Sequence, residues 1–85
     1  MRLTEFMEAA KAEAKKHGIE DTTSVAVYAF CEFDNTYYVC QIAIDKDVLR
    51  APIMHSPEAA IAAFSDSLRH YEENGSKKEN SDIEI

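Results

Sequence analysis

Apolar residues recur along this chain with two different periods. In the first segment Leu3, Phe6, Met7, Ala10 and Ala14 follow one another at helical spacing, which puts them on one face of a helix over residues 3–17. Glu5, Glu8, Lys15 and Lys16 lie mostly on the other faces. Lys15, Lys16 and His17 complement the negative helix end, and Gly18 suits a left-handed cap. Ile19 is then expected to fold back on the last turn. Glu20 to Thr23 is a polar connector.

The period then changes to two. Val25 to Phe33 and Tyr37 to Ile44 are rich in β-branched and aromatic residues and predict two strands. Asp34 and Asn35 both tolerate positive φ, so a two-residue loop there predicts a hairpin. In that register Phe33 faces Thr36, Cys31 faces Tyr38, Ala29 faces Cys40, Val27 faces Ile42 and Val25 faces Ile44. The opposite face carries Glu32 with Tyr37, Phe30 with Val39, Tyr28 with Gln41, and Ala26 with Ala43.

Asp45-Lys46-Asp47 is a second tight turn, and Val48 to Met54 returns as a short third strand. Pro52 cannot donate to a ladder, which assigns this strand to the sheet edge. Ser56 as N-cap, Pro57 at the first helical position and Glu58 in the first turn open a second helix. Its apolar stripe is Ala60, Ile61, Phe64, Leu68 and Tyr71. Asn74-Gly75 is expected to end it near Glu73. The polar, acidic stretch SKKENSDIEI, 76–85, then reads as a disordered, flexible tail after a domain at 1–75.

The fold class read from this pattern is α+β, in the order α-β-β-β-α. A three-stranded antiparallel meander carries two helices packed on one face. Val25, Val27, Ala29, Cys31, Ile42 and Ile44 form the better core face, being aliphatic and uncharged. Leu3, Phe6, Met7, Ile61, Phe64 and Leu68 are expected to pack on it. The opposite face then stays open, with Tyr28, Phe30, Glu32, Tyr37, Val39 and Gln41 as the candidate partner interface. Aromatic clusters of this kind mark interfaces. Asp34, Asp45 and Asp47 are candidate acidic contacts.

Charge changes the picture further. The chain of 85 residues has a net charge of −7, all of it after residue 20. Negative potential repels phosphate backbones and anionic lipid, so direct nucleic-acid or membrane binding is not expected and a basic or nucleic-acid-binding protein is the favoured partner. The element order resembles that of double-stranded-RNA-binding domains. That family grips phosphates through a lysine-rich start of its last helix. Here the same position reads Ser56-Pro57-Glu58-Ala59-Ala60, without Lys or Arg until Arg69, so RNA binding does not carry over.

No catalytic, cofactor or metal motif is present. Cys31 and Cys40 fall on one face in diagonal positions, too far apart for an easy disulfide, and are expected as buried thiols. His17, His55 and His70 are dispersed and show no ligand spacing. The N-terminal MRLTEFMEAAKAEAKK lacks the apolar run of a signal peptide, which favours a reducing cytoplasm. The function class expected is a non-enzymatic protein-binding module. In size, charge and plainness it resembles the acidic inhibitors that phages direct against host defences, anti-CRISPR proteins among them. The alternative is a homodimer whose open sheet faces stack.

Overall fold

The computed structural model describes the backbone of residues 1–84 and the side chains of residues 1–73. It has the expected order: α1 (Leu3–Lys16), β1 (Val25–Glu32), β2 (Asn35–Ile44), β3 (Asp47–Arg50) and α2 (Pro57–Glu84). The strands form an antiparallel sheet in the order β1-β2-β3. The α2 bounds pass the Asn74-Gly75 pair at which the sequence predicts a stop, and the tail expected at 76–85 lies outside the residues whose side chains are described.

Local chemistry explains the helix ends. Gly18 has φ of 84°, and its N–H donates to Lys15 O while the Ile19 N–H donates to Ala14 O. That pair of bonds closes α1 as a Schellman cap and turns Ile19 back toward the core. At the start of α1, Glu5 Oε1 accepts from the Arg2 N–H at 3.1 Å. At the start of α2, Ser56 Oγ accepts from the Ala59 N–H at 3.1 Å, as an N-cap should.

Both helices cover the same face of the sheet. Phe6, Ala10 and Ala14 of α1 and Ala60, Phe64 and Leu68 of α2 are buried with Val25, Cys40, Ile42 and Ala51 in one cluster. Phe6 meets Tyr38 edge-on, with ring centroids 5.8 Å apart. Leu3 departs from its expected core place and is 58% exposed.

The hairpin register differs from the expected one. Val25 pairs with Ile42, Val27 with Cys40, Ala29 with Tyr38, Phe30 with Tyr37, and Glu32 with Asn35. The turn is therefore Phe33-Asp34, with φ of 52° and 65°, rather than Asp34-Asn35. The Asn35 side chain donates to Phe33 O at 3.2 Å, and Ser24 Oγ donates to Ala43 O at 2.7 Å beside the open end of the pair. β2 is displaced by two residues relative to the expectation, so face membership survives although the partners change.

The third strand also departs from a simple run. β3 is regular over Asp47–Arg50, and Ala51 N–H still donates to Cys40 O. Tyr38 then bridges Met54, so Pro52 and Ile53 together stand opposite Val39. This bulge absorbs the proline and keeps Ala51 and Met54 on the helix-covered side, with Ile53 exposed.

A bulky residue at positive φ is strained by about 1–2 kcal/mol. Replacing the turn by the preferred residues, Phe33→Asn with Asp34→Gly, is expected to raise unfolding stability by ~1 kcal/mol. Urea denaturation, with parent and variant compared at a dilution at which both are monomeric, checks it, and an unchanged or lower midpoint would contradict the left-handed turn at Phe33-Asp34.

Candidate protein-docking face

The structure gathers the six predicted interface residues on one sheet face, opposite the helices. β1 contributes Tyr28, Phe30 and Glu32, and β2 contributes Tyr37, Val39 and Gln41. Their cross-strand partners are Tyr28 with Val39, Phe30 with Tyr37 and Ala26 with Gln41. Phe30 and Tyr37 stack with centroids 5.2 Å apart and planes at 26°. Tyr28 is 46% exposed and Phe30 39% exposed, whereas Val39 is buried beside them.

Two neighbours escaped sequence reasoning. His55, beyond the bulge, packs its ring 5.0 Å from Tyr37 and extends the aromatic row. Arg50 of β3 donates from Nε to Gln41 Oε1 at 3.0 Å, which fixes both polar side chains at the other end of the patch. The Gln41–Arg50 pairing depends on the β2–β3 register. Val48 is exposed and pairs with Ala43.

The three acidic candidates are not brought together. Asp34 lies in the β1–β2 turn, and Asp45 (φ 55°) and Asp47 lie at the β2–β3 turn. A ten-residue β2 separates the two turns by ~30 Å. They ring the two ends of the face rather than forming a carboxylate site.

The hairpin tip is bare on both sides. Residues 28–36 are all exposed, including Ala29 and Cys31, which were expected in the core. The helical layer covers only the base of the hairpin, where Val25 is buried and Val27 is half-buried. With Cys31 opposite Thr36 and Cys40 opposite Val27, the two thiols lie farther apart than in the expected register. Cys40 is buried, and desolvation pushes its thiol up to about 12.

A polar cluster joins the helices elsewhere. His17 Nε2 lies 3.0 Å from Ser65 Oγ, and Nδ1 lies 3.2 Å from Glu72 Oε1. Glu13 Oε1 is 3.9 Å from Nε2. The sequence concerned lies 48 residues apart, so no local signal linked His17 to Ser65. The order serine, histidine, carboxylate matches that of a nucleophilic triad. Acyl transfer also requires N–H donors facing the oxyanion, and the amides around Ser65 are committed to the ladder of α2. The cluster joins the end of α1 to Ser65 and Glu72 of α2. Among the described residues no group of three or more His, Cys, Asp or Glu side chains is placed to hold a metal, and no helix is long and apolar enough to cross a membrane.

The chain matches none of the protein-family models, curated proteins or solved structures with which it was compared.

Two measurements separate the thiols. A disulfide reagent at neutral pH is expected to modify Cys31 in the folded protein and to reach Cys40 only after denaturant is added. The unfolded thiol ionises around its ordinary 9.0 while the folded one holds its proton, so folding stability falls as pH rises from 9.0 toward about 12. Cys40→Ala should show a shallower alkaline loss of Tm than the parent. Equal slopes would remove Cys40 as a source of the alkaline dependence.

Proposed function

We propose that this protein is a small, acidic, non-enzymatic binding module that docks on a basic partner protein through its open sheet face. The observation that carries the reading is the Phe30–Tyr37 stack, which lies outside the core next to the exposed Tyr28. Aromatic rings offer large contact area at low cost in side-chain entropy, and these two are already ordered against each other. No lysine lies on this face, and its arginine is engaged with Gln41, so a phosphate backbone has little to hold it there.

The net charge of −7 and the carboxylates at both ends of the face suit a basic surface. A protein that itself binds nucleic acid has such a surface. The protein then acts as an inhibitor that occupies the partner's nucleic-acid site, in the manner of phage anti-defence proteins. A reducing cytoplasm fits this role, because Cys31 is exposed and unpaired with Cys40.

Affinity capture with the immobilised full chain tests the reading. The same partner should be retained at ~0.15 M salt and released toward ~1 M, since screening weakens exposed charge contacts. It should be lost from Tyr28→Asp and Phe30→Asp variants whose circular dichroism matches the parent. Retention by both folded variants would sink the face as the docking site, and retention at every salt would remove the basic partner.

A further inference from the structure

We infer that the outer edge of β1 is a self-association site, at which two copies of this chain join their sheets antiparallel about a two-fold axis at Ala29. This goes beyond the docking face, which remains free in the assembly.

The direction of the backbone groups supplies the first argument. Tyr38 exchanges both of its backbone hydrogen bonds with Met54, at 2.8 and 2.9 Å, and Cys40 O accepts from Ala51 N–H. The peptide groups of Tyr38 and Cys40 thus point toward β3. Their partners in β1, Ala29 and Val27, must point theirs away from β2. By alternation Cys31 does the same. Three consecutive outward residues form a row of donors and acceptors along an open edge. Val25 is spared, since its N–H is occupied by Thr22 O.

This edge lacks the usual protection. β1 reads VAVYAFCE, with no proline, no lysine and a single charge at its end. The opposite edge is blunted by Asp47, Arg50, the Pro52 bulge and a strand only four residues long. An edge of eight residues whose one charge sits at its last position is a template for another strand.

The pattern then selects a second copy. Centring the pair on Ala29 sets Ala29 against itself and Val27 against Cys31 of the second copy, so every outward residue is matched. The same register sets Tyr28 beside Phe30 of the second copy and carries the aromatic row across the junction. Shifting the centre to Tyr28 or Phe30 leaves an outward residue facing Val25 or the turn.

Phe33 supplies an independent argument. It is 86% exposed and sits at φ 52°, a strained position for an aromatic residue. A shallow apolar groove of about 270 Å³ lies beside β1, lined by Leu3, Thr4, Met7, Glu8 and Val27. The two-fold at Ala29 brings Phe33 of the second copy level with Val25, next to Val27 and the groove. Exposed Leu3 and exposed Phe33 then cover each other, twice per dimer.

Light scattering on the full chain, over a dilution series at ~0.15 M and ~1 M salt, provides the first test. The expected mass is that of a dimer, which tightens at high salt because two chains of −7 each repel. Ala29→Pro removes an outward N–H, which an edge strand tolerates, and should give a folded monomer. In a Cys31→Ser background, Ala29→Cys should oxidise to a covalent dimer, because the two positions face each other at ~5.5 Å between Cα atoms. The parent Cys31 should not cross-link, being two residues from the axis in each copy. A parent monomer at all concentrations and salts overturns the inference. So does a dimer that survives Ala29→Pro and is broken by Phe30→Asp, the signature of stacked faces. A parent dimer whose folded Tyr28→Asp and Phe30→Asp variants still retain the partner would count against the docking face alone.

Discussion

Everything in this fold depends on both helices being committed to one side of a three-stranded sheet. Phe6 of α1 and Phe64 and Leu68 of α2 are buried in one cluster with Ile42 and Cys40 of the central strand. Such a cluster is the only sizeable apolar sink that a domain of this length can build. Among the described residues no helix covers the reverse face. The exposed aromatic row is thus a consequence of where the core had to form. What distinguishes it from incidental exposure is its order: the Phe30–Tyr37 stack and the Gln41–Arg50 bond hold it in a fixed arrangement.

The same commitment sets a length mismatch. α1 spans fourteen residues, or ~21 Å, and the buried positions of α2 run only from Ala60 to Leu68, or ~12 Å, while β2 spans ten residues, or ~34 Å if fully extended. The hairpin outruns its cover, and residues 28–36 project with both surfaces exposed. An isolated hairpin is marginal in water. This one is anchored by its base and by the bridge from Tyr38 to Met54, so its tip is held without being buried. The Phe33 strain is tolerated at that tip because the strands below fix the turn.

Much of this was legible in the sequence, and the reasons differ from residue to residue. Gly18 followed by Ile19, and Ser56 followed by Pro57, are local signals, and both helix ends formed as read. Face membership in β1 and β2 follows from alternation alone, so the six face residues were recoverable. Register was not, because a displacement of two residues leaves alternation untouched. The exposure of Cys31 and Leu3 depends on how far the helices reach, a property of the assembled layers rather than of either segment. The bulge at Pro52–Ile53 places Met54 on the helix side with Ala51, which a strict two-residue period forbids. His55 and Arg50 joined the face only through these long-range pairings.

β1 holds part of the core, and the proposed docking face and association edge use the same strand in directions that are separable from it. Its helix-side groups at Val25 and Val27 hold the core. Tyr28 and Phe30 point to the open face. The peptide groups of Val27, Ala29 and Cys31 point outward in the plane of the sheet, where no side chain competes. One strand can therefore support the fold, a docking face and an edge without any of them occupying another's surface. This also explains the composition of the strand. A lysine on either exposed row would blunt the edge or interrupt the aromatic row, and a proline at an outward position would remove a donor. The absence of both from an otherwise highly charged chain is consistent with a strand whose exposure is used.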